Sequence, residues 1–145
     1  MKIKKLYEDS ILPTRGSAEA AGYDLYARLR ENETLQIPPH TTGKIGTGIA
    51  IECPKNHFAG IFARSGLATK QGLAPANKVG VVDNDYRGEI IVALHNDSEE
   101  IRYVENGDRI AQLIIIPYAS VELEIVDTLD ETERGESGFG STGSK

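Results

Sequence analysis

The sequence predicts an all-β, jelly-roll-like sandwich or barrel of many short strands with one short helix. Short β-rich runs recur between turn residues, and no window of the chain has a convincing helical period. The runs cover residues 23–27, 44–51, 57–63, 89–95, 109–117 and 121–126. All six prolines lie between these runs or at their ends, where the missing backbone N–H does not interrupt a sheet. This spacing favours two packed β-sheets.

The first two runs each carry an informative residue type. Residues 23–27 place a carboxylate, Asp24, in a β-like segment, where it could hold a metal-bound water or cap a turn. Residues 44–51 alternate in the manner of a half-buried strand. Within them, Gly46 and Gly48 predict a bulge or the close approach of another chain.

One short helix is predicted after the third run. Ser65 is a suitable N-cap, residues 67–71 can form one or two turns, and Gly72 can end them. The start of this helix would present backbone N–H groups beside Arg64, an arrangement that suits a phosphate. Taken by itself, the segment favours an ordinary capped helix with an exposed arginine over a phosphate site.

Residues 77–88 are the most informative segment for function. Their valines favour extended backbone, and an Asn-Asp pair favours a turn before the next β-rich run, so we predict a β-hairpin. The hairpin would hold the carboxylate of Asp83, the ring of Tyr86 and the guanidinium of Arg87 close together. This combination suits a small anionic ligand with a ring, although a plain hairpin with Asx-turns remains the alternative.

The C-terminal tail, residues 134–145, cannot fold by itself. It contains four glycines and three serines among twelve residues, and Phe139 is its one large apolar side chain. It is either a linker or a segment that becomes ordered over a ligand. In the second case Arg134 would meet a phosphate and Phe139 would stack on a base.

Length and composition limit the functional classes. The 145 residues, 39% hydrophobic and 26% charged, suit one soluble domain. The longest aliphatic stretch, residues 113–116, is far shorter than a membrane span, and no apolar signal core follows the basic N-terminus, so we expect a cytoplasmic protein without membrane contact. A formal charge of −6 argues against direct nucleic-acid binding.

Metal clusters and covalent catalysis are not indicated. The single cysteine, Cys53, cannot form a disulfide or a multi-thiolate zinc site, and the three histidines share no metal-ligand spacing. No Ser-His-Asp or Cys-His pattern with an elbow glycine occurs.

Five separated motifs resemble, in order and spacing, those of the homotrimeric deoxyuridine triphosphatases (dUTPases). They are AGYDL at 21–25, RSGLA at 64–68, GVVDNDYRG at 80–88, GDRIAQL at 107–113 and RGESGFGSTG at 134–143. The resemblance implies a jelly-roll-like domain at 1–133 and a flexible tail at 134–145 that closes over a neighbouring subunit's active site. Each site of the trimer would take motifs one, two and four from one chain, motif three from another, and the tail from the last.

The resemblance also implies hydrolysis of dUTP to dUMP and pyrophosphate, which limits uracil incorporation into DNA and supplies dUMP for thymidylate synthesis. Asp83 would be the general base that activates water for attack at the α-phosphorus. Mg²⁺ would be chelated mainly by the triphosphate, with Asp24 holding a metal-bound water.

The remaining positions follow from the same resemblance. The phosphate-binding positions are Arg64, Ser65, Gly66, Gln112 and Arg134. The uracil and deoxyribose positions are Asn77, Val79, Gly80, Val81, Val82 and Tyr86, and the tail adds Phe139, Gly140 and Ser141. Three residues, Lys70, Asp85 and His95, receive no assigned role.

Two alternatives remain open at this point. The related dCTP deaminases share the fold and an Arg-Ser-Gly-Leu-like element, but act on cytosine using a glutamate; the tail and the Asp83 segment argue against them. The second alternative is a non-catalytic or moonlighting protein of the same fold that binds a regulator. The sequence does not determine whether a protein inhibitor binds.

Overall fold

The structure is a computed structural model that describes residues 1–136, and this part of the chain forms eleven short strands and one helix. The strands are β1 (Lys2–Lys5), β2 (Tyr23–Tyr26), β3 (Thr34–Ile37), β4 (Thr42–Gly46), β5 (Ile49–Glu52), β6 (His57–Phe62), β7 (Leu73–Pro75), β8 (Gly80–Val82), β9 (Ile91–Asn96), β10 (Arg102–Glu105) and β11 (Arg109–Pro117). The helix, α1, spans Ser65–Gln71. The predicted all-β fold with one short helix is confirmed. No helix in residues 1–136 is long and apolar enough to cross a membrane.

The strands pair in antiparallel fashion in two larger sheets and two ribbons. One sheet has the order β2-β11-β6-β8 and the other β4-β9-β7, while β1 pairs with β5 and β10 with β3. The core lies among these elements and consists of aliphatic side chains. Its fully buried members include Leu25, Ile45, Ile49, Leu73, Leu94 and Leu113. Burial of each such side chain contributes roughly 1.5–3 kcal/mol, so this core holds the site-bearing sheet in place.

The predicted strand at 44–51 is divided in two. β4 ends at Gly46 and β5 begins at Ile49. Gly48 has φ +69°, and a Cβ there would lie 2.6 Å from the Cδ atom of Arg28. Side chains of the same chain therefore lie close to Gly48, and the prediction of a continuous strand is wrong because the backbone turns at this point.

The predicted hairpin at 77–88 is also wrong. β8 pairs with β6, whereas β9 pairs with β4 and β7 in the other sheet. A turn does follow β8, since the N–H of Tyr86 donates to the carbonyl of Asp83 at 3.2 Å. The chain then continues across to the second sheet, where Val92 and Leu94 become buried. Burial of these two side chains decides the partner of β9, and sequence proximity does not.

The predicted strand at 121–126 is absent, and residues 118–136 contain neither strand nor helix. The side chains of Leu123 and Ile125 are 93% and 99% exposed. The apolar alternation that predicted a strand is real, but no strand edge within residues 1–136 pairs with it.

Candidate active site

Three of the five motifs meet at one end of the four-stranded sheet. Asp24 on β2 lies opposite Gln112 on β11, and Gln112 lies opposite Phe62 on β6. Two residues after Phe62, Arg64 leads the chain into α1. Because the three strands are adjacent, the antiparallel register brings Asp24, Gln112 and Arg64 to the same place.

The carboxylate of Asp24 lies between two guanidinium groups. The Nε atom of Arg64 donates to Oδ1 at 2.8 Å, and Nη1 of Arg109 donates to Oδ2 at 3.3 Å. A third bond joins the two arginines, because Nη1 of Arg64 donates to the backbone carbonyl of Arg109 at 3.2 Å. The side chain of Asp24 is only 15% exposed, so solvent screens these ion pairs less than surface pairs. Two positive charges around one negative charge leave a local excess that favours an anionic ligand.

Backbone contacts hold these side chains in position. The N–H of Asp24 donates to the carbonyl of Thr14 at 2.7 Å. Nε2 of Gln112 donates to the carbonyl of Ala63 at 2.9 Å. A Cβ at Gly22 would lie 2.7 Å from Oε1 of Gln112, so a side chain at this position would displace the Gln112 amide.

The start of α1 differs in one respect from the prediction. Arg64, not Ser65, occupies the N-cap position, with extended φ and ψ of −85° and 127° and no side-chain cap. The extended backbone continues through Arg64, whose side chain is bound to Asp24, so Ser65 becomes the first helical residue. A Cβ at Gly66 would meet nothing within 4 Å, so packing within this chain does not require glycine there. Gly72 ends the helix in the left-handed conformation, as predicted.

The third motif forms a separate surface around β8. Asp83 is exposed directly after the strand, and a cleft of about 220 Å³ is lined by residues including Val82, Asp83 and Tyr86. The hydroxyl of Tyr86 donates to the carbonyl of Glu89 at 3.2 Å. A Cβ at Gly88 would collide with the Tyr86 ring, so glycine is what allows the ring to lie against the backbone.

Asn77 lies beside this surface, at the entry to β8. Its Nδ2 atom would be 3.3 Å from a Cβ at Gly80. Gly80 and Val81 pair with β6, and Val79 and Val81 are 38% and 61% exposed. The predicted uracil-reading positions therefore lie together on an open strand edge.

The structure does not bring the third motif to the first, second and fourth. Val82 on β8 lies opposite Ala59 on β6. Arg64 follows Ala59 by five residues, in the direction that leads away from Asp83. At ~3.3 Å per residue, Val82 and Arg64 are therefore separated by roughly 16 Å along the strand direction. Asp83 follows Val82 and lies one residue further from Arg64. On this estimate the Asp83 carboxylate does not lie beside Arg64 of its own chain.

The fifth motif is only partly described. Arg134 is exposed. Phe139, Gly140 and Ser141 lie outside the described residues. The proposed division at residue 133 stays a prediction. Within residues 1–136, no group of three or more His, Cys, Asp or Glu side chains is placed to hold a metal ion.

Arg109 is the site residue that sequence reasoning missed. Its sequence context was that of a turn feeding an apolar strand, which is compatible with a surface or edge arginine. Only the register of β2 against β11 places it on Asp24. No local signal in the sequence distinguishes the two cases.

Comparison with known proteins shows the family of this chain. A family model described as dUTPase matches residues 8–143. The chain is 48% identical over 147 residues to the deoxyuridine 5'-triphosphate nucleotidohydrolase of Maricaulis maris, covering 100% of this chain and 97% of the relative. It is 53% identical over 133 residues to that of Desulfitobacterium hafniense, covering 91% and 87%.

The solved structures give the same result at greater evolutionary distance. A mutant of Staphylococcus bacteriophage 80alpha dUTPase with dUpNHpp superposes with a TM-score of 0.84 at 28% identity. The match covers 98% of this chain and 97% of the phage protein. With the family model matching most of its length, this chain belongs to the dUTPase family.

Proposed function

We propose that the protein hydrolyses dUTP to dUMP and pyrophosphate in active sites shared between the subunits of a homotrimer. The observation that carries the proposal is the meeting of three dUTPase motifs around the Arg64–Asp24–Arg109 cluster, at one end of a sheet. The names of the relatives and the dUpNHpp bound by a structural neighbour support dUTP as the substrate. In a cell, this reaction limits uracil in DNA and supplies dUMP.

A shared site follows from the position of the proposed base. Since Asp83 and Arg64 of one chain lie more than roughly 16 Å apart by strand geometry, we infer that a second copy brings its Asp83 to the phosphates. Closed rotational symmetry lets every subunit give and receive the same groups. A three-fold ring provides three equivalent sites.

The exposed segment after β11 supports association of this kind. Leu123, Ile125 and Leu129 are 93%, 99% and 86% exposed. Burying three such side chains on a neighbouring subunit would contribute roughly 5–9 kcal/mol per chain before the entropy of ordering is subtracted. The same segment would lead Arg134 and the predicted tail residues towards another subunit's site.

The reaction is an in-line displacement at the α-phosphorus. Asp83, exposed at the end of β8, accepts the proton of the attacking water, a role worth about 10²–10⁴ in rate. Negative charge grows on the phosphate oxygens as the new bond forms. Arg64 and Arg134, with donors from Ser65, Gly66 and Gln112, stabilise that charge.

The residues around Asp24 fit a metal ion held mainly by the substrate. Oδ1 and Oδ2 each accept one guanidinium hydrogen bond, and a carboxylate offers about four acceptor sites, so capacity remains for a metal-bound water. Mg²⁺ commonly keeps several waters and binds through substrate phosphates. When bound, Mg²⁺ would neutralise phosphate charge, and Asp24 would orient one of its waters.

Selectivity for the base and the sugar belongs to the third motif. The strand edge at Gly80–Val82 and the amide of Asn77 read the donors and acceptors of uracil. The Tyr86 ring is fixed by its bond to Glu89 and by the bare Gly88 backbone. A ring held this rigidly under deoxyribose rejects a 2′-hydroxyl by contact. Phe139, Gly140 and Ser141 would cover the base from the tail.

The test measures pyrophosphate release with Mg²⁺ from dUTP, dCTP, dTTP and UTP in parallel, and ammonia in the dCTP sample. We expect pyrophosphate from dUTP alone. Ammonia from dCTP would indicate a deaminase, and no product from any nucleotide would indicate a binding role. The Asp83→Asn variant keeps the shape of the base and removes its function, so it should lose turnover and retain dUpNHpp binding; unchanged turnover would contradict the role of Asp83.

A further inference from the structure

Arg109 reaches the phosphate site because β11 contains a β-bulge. Residues of a regular strand alternate between faces, so Arg109 and Gln112, three positions apart, would point to opposite sides. The pairing with β2 shifts between Arg109 and Ala111, and Ile110 and Ala111 are both buried, at 1% and 0% exposure. The additional residue places Arg109 and Gln112 on the same face.

The register with β2 identifies what lies opposite them on that face. Arg109 pairs with Tyr26 and Gln112 pairs with Asp24, and positions 24 and 26 share one side of β2. Without the bulge, the Arg109 side chain would point to the side on which Leu25 is buried. The bulge therefore places a guanidinium beside Asp24, and bulges next to active sites commonly redirect a side chain.

The contacts of Arg109 connect it to Arg64 in two ways. Its side chain holds Oδ2 of Asp24, whose Oδ1 binds Nε of Arg64. Its backbone carbonyl accepts Nη1 of Arg64. Within residues 1–136, Nη2 of Arg64 has no hydrogen-bond partner. Two of the three guanidinium nitrogens of Arg64 are thus anchored, and the third can donate to a ligand.

We propose that Arg109 is a positioning residue, which fixes Asp24 and through it orients Arg64 towards the triphosphate. This rests on the proposed function, since it assigns a task to a group outside the predicted phosphate contacts. Arg109 and Arg64 also line a cleft of about 220 Å³. Loss of Arg109 leaves Asp24 attached to Arg64 alone, and the pair can then turn into that space.

The main variant is Arg109→Gln, compared with Arg30→Gln as a control that makes the same charge change on an exposed residue of the turn before β3. Misplacing a phosphate-binding group by about 1 Å can cost about 10²-fold, so we expect a fall of ~10–100-fold in kcat/KM for Arg109→Gln. The control should stay within ~2-fold of wild type. Melting temperatures of both variants should remain close to that of wild type, because Arg109 is half exposed.

A double-mutant cycle with Arg64→Gln distinguishes positioning from direct contact. If Arg109 acts through Arg64, adding Arg109→Gln to the Arg64→Gln variant should lower kcat/KM by less than ~3-fold. Because a single bond joins Arg109 to Asp24, Arg109→Lys should recover most of the activity. Full additivity of the two Gln substitutions would overturn the proposal, as would a large drop in melting temperature with kcat/KM unchanged.

The affinity for dUpNHpp in the presence of Mg²⁺, measured by calorimetry, tests the positioning role of Arg109 independently of enzyme activity. If wild-type protein releases no pyrophosphate from dUTP, the proposed function fails. The positioning role of Arg109 is then tested by the double-mutant cycle of Arg109→Gln and Arg64→Gln, with the affinity for dUpNHpp as the measured quantity. Equal affinity of wild type and Arg109→Gln would refute it.

Discussion

Two variants that are inactive separately should form active enzyme when their chains are assembled together. Asp83→Asn removes the proposed base, and Arg64→Gln removes the proposed phosphate anchor. By strand geometry these residues lie more than roughly 16 Å apart in one chain, so our proposal takes them from different subunits in each working site. A site is intact wherever an Asp83→Asn chain supplies Arg64 and its neighbour, an Arg64→Gln chain, supplies Asp83.

The size of the effect follows from random assembly. In a 1:1 mixture, the chain that supplies the anchor is intact at Arg64 with a probability of one half, and its neighbour is intact at Asp83 with a probability of one half. About one quarter of all sites should therefore be active in a closed three-fold ring. Separately purified mixed trimers should each have about one active site in three.

The assay is pyrophosphate release from dUTP after the two chains have been unfolded together and refolded, with chain mixing verified by mass spectrometry. Refolding Arg64→Gln with a chain that carries both substitutions is the matched control, because no intact pairing is then available. Verified mixed trimers whose activity does not exceed the sum of the separate variants would refute the shared site.

The other predictions concern the tail, the assembly, the sugar and the thiol. Truncation before Arg134 should leave a folded trimer with severely reduced turnover, and unfolding seen by circular dichroism would contradict this. Ile125→Asp puts a charge on a side chain that is 99% exposed in one chain, so a smaller assembly by light scattering is expected, and an unaltered mass would exclude this segment from the interface. Tyr86→Ala should raise hydrolysis of UTP relative to dUTP; an unchanged ratio would remove the ring from sugar selection. Burial raises the pKa of the Cys53 thiol, so alkylation at pH 8 should be slow in the native protein and fast in urea, and equally fast native alkylation would show that the thiol is accessible.

Local features of the sequence were sufficient for the fold class and for the family. β-branched and aromatic residues between turn residues indicated an all-β domain, because these side chains favour extended backbone wherever they are placed. Gly72 ends α1 as predicted, since a left-handed C-cap is a property of one residue and its neighbours. The five motifs identified the dUTPase family, because their residue types and order are local chemistry.

Tertiary structure decided which segments meet. β8 joins β6 instead of β9, residues 121–126 pair with no strand in the described part of the chain, and a bulge brings Arg109 to Asp24. None of these follows from periodicity, because strand pairing depends on the burial of side chains far apart in the chain. The registers of β2, β11 and β6 unite Asp24, Arg64 and Gln112, whereas the register of β8 against β6 places Val82, the neighbour of Asp83, roughly 16 Å from Arg64. A motif specifies the residues of a site, but only the packing of strands determines whether one chain can assemble them.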